Sequence, residues 1–183
     1  MKQLTGRVLI SEPFIQDPTF ERSVVLMTDH NEEGSVGFVL NQKSDYLVSQ
    51  LVPDLADIDL PVFVGGPVEL DGLHCIHSYS SIDDSLALKK NLFWSGNFGQ
   101  IIEGLKSGEY ESSRFKFFMG YSGWAKGQLL SEISEKSWII GDIPSKIIFN
   151  NEMMNKDLWK YAIRLKGGKD ALLANSPANP LLN

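Results

Sequence analysis

Apolar positions in this chain come first in short runs and only later at helical spacing. Residues 8–11, 23–28 and 36–40 are near-continuous apolar stretches of strand length, as expected for strands buried on both faces. Between the last two lies Asp29-His-Asn-Glu-Glu-Gly-Ser35, polar with a late glycine, which predicts a hairpin. Asp17-Pro18 marks a turn, and Phe14, Ile15 and Phe20 around it are expected to cap the core. Ser44 or Asp45 reads as the N-cap of a helix within 41–51, with Leu47, Val48 and Leu51 on one face and Pro53 as its stop. Strands follow at 61–65 and 73–79, while 82–94 supports only a short strand at 92–94.

Asn97 or Ser95 caps a helix carrying Ile101, Ile102 and Leu105, which Gly108 ends. The stretch from Arg114 to Glu132 organises the second half of the chain. Phe115, Phe117 and Met119 share one strand face, with Lys116 and Phe118 on the other. Gly120, Gly123 and Gly127 then predict a loop bearing Tyr121, Trp124 and Lys126, and a short amphipathic helix starts at Gln128. A strand at 138–140 and a short helix at 147–149 precede a last helix over about 153–165. Leu158, Tyr161, Ala162 and Leu165 are expected to face inward on it, with Gly167-Gly168 closing it. Strands cluster instead of alternating with helices, so the expected fold is α+β with a mixed, largely antiparallel sheet. One domain over 1–183 is expected, with 170–183 as a loosely ordered tail.

Composition narrows the function. The net charge of −6 opposes long-range attraction to nucleic acid or anionic lipid. Cys75 is the only cysteine, so no intrachain disulfide is available. No apolar run approaches a membrane span, and the first residues do not read as a signal peptide. A cytoplasmic location and no membrane partner are expected.

Candidate chemistry is sparse. The glycine spacing at 120, 123 and 127 fits neither the dinucleotide nor the phosphate-loop motif. Aromatic residues on a glycine loop at a strand end suggest a site, against the plainer reading that Trp124 packs over a tight turn. His74 faces away from Cys75 and His77, so the three do not converge on a metal, and a buried thiol is the commoner state of Cys75. His30 sits among carboxylates that lack calcium-loop spacing. Arg22 pairs Asp17 or Glu21, or points a fork into a cleft. No catalytic constellation, cofactor site or metal site is recognised.

Several ordered segments resemble the AlgH/YqgE family of bacterial proteins. They are Gly6-Arg-Val-Leu-Ile-Ser-Glu-Pro13, Asp17 to Val25 with Arg22, Asp29-His30, Gly34 to Asn41, Val62 to Val68, Leu73-His74 and Gly120 to Glu132. This chain has Ala125-Lys126 where the family more often has Gly-Pro, and Gln42-Lys43 where Arg-Pro is usual. The resemblance implies an α+β fold with a bulged or forked sheet flanked by helices. It also implies a transcriptional-regulator label, derived from a proposed regulatory role in alginate synthesis, and brings no catalytic residue set.

The favoured expectation is a protein that binds a small molecule or protein partner at Arg22, His30, Asn41, His74, Tyr121, Trp124 and Lys126, with any regulation indirect. The alternatives are an enzyme using a histidine near the 120–127 loop, and a DNA-binding regulator. Adverse charge and the lack of a helix-turn-helix count against direct nucleic-acid binding.

Overall fold

Alternation within the early apolar runs explains why they are so uniformly hydrophobic. The computed structural model describes residues 4–153 and 155–176. Strand β1 (Val8–Ser11) lies antiparallel to β2 (Val24–His30), which turns back into β3 (Gly34–Val39). Val8, Ile10, Val24 and Leu26 enter one core, while Leu9, Val25 and Met27 enter another on the opposite face. Both faces are covered, so successive residues are all apolar.

The remaining elements are β4 (Lys43–Leu47), α1 (Val48–Leu51), β5 (Pro61–Val64), β6 (Val68–His77), β7 (Leu86–Lys89) and β8 (Leu92–Trp94). They continue with α2 (Phe98–Ser107), β9 (Phe115–Ala125), α3 (Gln128–Ser134), β10 (Trp138–Gly141), α4 (Ser145–Ile148) and α5 (Asn155–Lys166). Eight strands run β10-β1-β2-β3-β9-β6-β8-β7, with β5 joined to β9 and β4 to β5. Every pairing is antiparallel except β5 with β9. The fold is therefore α+β with a mixed, largely antiparallel sheet. Helices α4 and α5 cover one face, α3 lies over the other, and α2 closes a third core with β5 and β6.

The sheet forks at β9. Along the edge opposite β6, Phe117–Met119 pair with β5 and Ser122–Ala125 pair with β3. Gly65 occupies the branch point: its N–H donates to Met119, and its carbonyl accepts from Val39 N–H and the Ser122 hydroxyl, each at 2.9 Å. A Cβ on Gly65 would stand 2.4 Å from the Gly120 carbonyl oxygen. Gly120, at φ 65°, kinks the strand there without ending it.

That kink corrects the expected glycine loop over 120–127. The chain stays in strand through Ala125 because the residues after Gly120 find a new partner in β3. The expected helix within 41–51 is also corrected: it is strand β4 followed by the single turn α1. The Ser44 hydroxyl donates to Val62 carbonyl (2.7 Å) across to β5 instead of capping a helix. Strand β7 was invisible to periodicity because only Leu88 of its four residues is buried. Phe14 is exposed, whereas Ile15 and Phe20 do pack on the core.

On α5 the buried face is Leu158, Trp159, Ala162 and Ile163, and Leu165 is exposed. Trp159 rotates the face by anchoring its indole N–H to Ser11 carbonyl at 2.9 Å. Of the expected tail, Gly168–Asn175 forms 3-10 turns with Ala174 buried, and 177–183 lies outside the described residues.

Two glycine substitutions separate close approach from backbone strain. Gly65→Ala should cost about 3 kcal/mol, at the upper end of ordinary overpacking, since the obstructing atom is backbone. Gly108→Ala, at φ 77° with no atom within 4 Å of a built Cβ, should cost only about 1–2 kcal/mol of left-handed strain. Urea unfolding of the two variants beside wild type measures the difference.

Candidate functional site

The β2–β3 turn is closed by Asn31. Its side-chain oxygen accepts from Glu33 N–H (2.8 Å) and Gly34 N–H (3.2 Å), and its own N–H donates to Gly34 carbonyl. Cross-strand pairing then sets His30 opposite Ser35, with His30 Nδ1 2.7 Å from Ser35 Oγ. His30 Nε2 is buried with no hydrogen-bond partner among the described residues. Because β3 pairs with the far half of β9, the hairpin tip meets Ala125 and the start of α3.

Between them lies a pocket of about 210 Å³ lined by His30, Ser35, Ala125, Lys126, Leu129 and Leu130. On the other side of the tip, a more open groove of about 460 Å³ runs past Tyr121 and Trp124 and carries Asp29 and Glu33. Tyr121 meets His74 edge-on, with centroids 6.0 Å apart, and His74 packs on Phe38. Burial holds the His74 pKa below the usual histidine range, partly offset by the charge of Glu69. His74 is thus set to be neutral at pH 7.

Trp124 is not an exposed loop residue. It is 5% exposed and donates from Nε1 to Glu132 Oε2 at 2.9 Å. Trp138 Nε1 donates to the same oxygen at 2.7 Å, and Gln128 donates to the other at 2.9 Å. Phe20 stacks on Trp124, so this cluster is core packing around one carboxylate.

Arg22 and Asn41 sit at the opposite end of β2 from His30. Asn41 accepts from Val24 N–H and donates to Arg22 carbonyl, both at 2.9 Å, stitching β2 to the chain after β3. The Arg22 guanidinium lies 4.8 Å from the Trp159 ring centroid and donates to Ser176 carbonyl at 2.9 Å. Arg22 holds the C-terminal segment to the sheet and Asn41 holds the sheet strands, both away from the hairpin pocket. Burial pushes the Cys75 thiol up to about 12, far from a nucleophilic thiolate. His77 is a buried core histidine, bonded to Ser95 carbonyl through Nε2 and to Tyr79 N–H through Nδ1.

Residues 8–171 match the profile of the AlgH-like family, DUF179. The chain belongs to that family. A UPF0301 protein of Chlorobaculum tepidum is 37% identical to this AlgH-like chain, over 97% of it and 95% of its own length. A UPF0301 protein of Cytophaga hutchinsonii is 38% identical over 97% and 98%. The solution structure of AlgH from Pseudomonas aeruginosa superposes with a TM-score of 0.72 at 26% identity, covering 97% of this chain and 98% of that one. A Corynebacterium diphtheriae crystal structure reaches 0.81 at 23% identity, over 96% and 94%, a likeness of fold.

Two polar residues of this AlgH-like chain were missed by sequence reasoning. Ser35 lay unremarked in the hairpin segment, and only the strand register makes it the partner of His30. Lys116 carried a signal in being a lysine inside a phenylalanine-rich strand. It is 2% exposed, with Nζ 3.5 Å from the Phe63 ring centroid and donating to Asn151 Oδ1 at 3.2 Å. Among the described residues no group of three or more His, Cys, Asp or Glu is arranged to hold a metal ion.

Burial lowers the Lys116 ammonium to about 7, whereas an unfolded chain holds that proton to about 10.4. Between those values the unfolded state binds more protons, so this group makes stability rise with pH from about 7 to about 10.4 and fall again as pH returns to 7. Lys116→Met should flatten that slope, with a higher urea midpoint at pH 7 and little change at pH 10. Trp124→Ala should cost about 3–5 kcal/mol by emptying a core position, measured in the same assay.

Proposed function

We propose that this protein binds a small carboxylate with a compact apolar body in the pocket between the hairpin tip and α3. The observation that carries the reading is His30: it lines an apolar pocket, its Nδ1 is tied to Ser35, and its Nε2 is buried without a partner among the described residues. Leaving such an atom unpaired costs about 1–3 kcal/mol, which a ligand hydrogen bond would recover. Leu129 and Leu130 supply the apolar wall, and Lys126 supplies a cation for the carboxylate. The pocket falls below the ~300–1,000 Å³ of drug-sized sites, so the ligand is smaller than a nucleotide.

Binding is favoured over catalysis although Ser35 and His30 would serve as nucleophile and base. A reactive pair needs a third group to orient the histidine, and Nε2 has none among the described residues. Direct DNA binding remains disfavoured, since Asp29 and Glu33 in the adjoining groove repel a phosphate backbone. We place the protein in the cytoplasm as one folding domain, where ligand occupancy at the hairpin tip would modulate a protein partner. No helix among the described residues is long and apolar enough to cross a membrane.

A thermal-shift panel of short aliphatic and aromatic carboxylates tests the reading. A ligand at ~100 times its dissociation constant adds ~2.7 kcal/mol and raises the midpoint. The shift should vanish in Leu130→Trp, which fills the pocket from a half-exposed position, and shrink in Lys126→Gln. A panel in which no carboxylate moves the wild-type midpoint overturns the proposal.

A further inference from the structure

A second concave surface collects cations that the hairpin site does not use. It is a groove of about 610 Å³ lined by Arg7, Lys89, Lys166, Asp142, Ile143 and Leu165. Arg7 precedes β1, Lys89 ends β7 and Lys166 ends α5, so three separate parts of the chain contribute one positive charge each. Two of these are anchored to the same backbone stretch. Arg7 Nε lies 2.8 Å from Asp142 Oδ2 and donates to Gly141 carbonyl at 3.2 Å, while Lys89 Nζ donates to Ile143 carbonyl at 3.0 Å.

We propose that this groove binds a small phosphorylated compound, its phosphate seated among Arg7, Lys89 and Lys166 and its remainder against Ile143 and Leu165. Among the described lining residues three cations meet one carboxylate, in a chain whose net charge is −6. The excess matches a phosphate monoester, which carries about −1.5 to −2 at pH 7, better than one carboxylate. Arg7 is held through Nε on a one-third-exposed side chain, and a guanidinium is the group that phosphate takes bidentately. The groove volume lies within the range of small-molecule sites. Burial lowers the Lys89 pKa, Asp142 opposes that lowering and Arg7 adds a smaller one. A bound anion would offset the burial cost of the Lys89 charge.

Isothermal titration with inorganic pyrophosphate, at constant ionic strength, provides the test. Wild type should bind saturably, and Lys89→Met and Lys166→Gln should each weaken binding about tenfold or more with the thermal midpoint retained. Asp142→Asn should tighten binding severalfold by removing the competing carboxylate, an effect that misfolding does not imitate. Lys126→Gln, at the hairpin pocket, should leave pyrophosphate binding unchanged, so this site and the carboxylate site stand or fall separately. The proposal is overturned by absence of saturable binding, by lysine variants that titrate like wild type, or by Asp142→Asn binding more weakly. It is also overturned if phosphatidylglycerol vesicles co-sediment the protein while pyrophosphate fails to bind, since the anion would then be a lipid headgroup.

Discussion

Three strands compete for backbone at one point on β9, where Gly65 and Gly120 let their main chains approach more closely than any side chain permits. Hydrogen bonds from Gly65 reach Met119, Val39 and Ser122 at once, so this residue belongs to β5's register, β3's end and β9's kink together. Everything beyond the fork depends on that arrangement. The far half of β9 leaves β5, pairs with β3, and delivers Ala125 and α3 to the tip of the β2–β3 hairpin. The candidate pocket exists because a strand changes partners. A β9 that stayed with β5 would leave the His30–Ser35 pair on an open edge.

Buried polar groups follow a consistent logic across the molecule. Glu132 satisfies two indole N–H groups and an amide, which turns α3 into a clamp over Trp124 and Trp138. Asn41 and His77 are likewise bonded through more than one atom. Among the described residues Lys116 meets an aromatic face and an amide oxygen at its amine and no carboxylate, so desolvation prevails and its proton is weakly held. His30 and His74 each keep one buried ring nitrogen without a partner among the described residues. For His30 that nitrogen belongs to a side chain lining a cavity, which makes it the group most informative about a ligand.

Part of the candidate site was legible without coordinates: His30 and Lys126 line the hairpin pocket, while Tyr121 and Trp124 line the groove on the other side of the tip, with His74 against Tyr121. Arg22 and Asn41 do not join them, because they mark the other end of β2, some seven residues of strand away. Of the two readings of Trp124, the packed one holds, although in a strand and not over a loop. A glycine-rich segment after a strand resembles a loop when read alone, and only a partner strand distinguishes the two.

Local rules determined what depends on neighbours within a few residues. Periodicity and capping chemistry fixed β1 to β3, the Asn97-to-Gly108 helix, the membership of β5 and β10 and the buried second half of β6, because buried strands and capped helices leave their mark in adjacent positions, whereas the exposed first half of β6, from Val68, went unread. Tertiary structure decided what depends on distant partners. Residues 43–47 became a strand because Pro61 and Phe63 of β5 were available to pair, and Leu86–Lys89 became one because β8 was adjacent, though neither had the apolar pattern to announce it. The rotation of α5 was set by the reach of Trp159 to Ser11, 148 residues away. The fork, the pairing of His30 with Ser35, and the meeting of Arg7 with Lys89 over Gly141–Ile143 are likewise products of register. Sequence spacing carries no register between strands until the sheet is assembled.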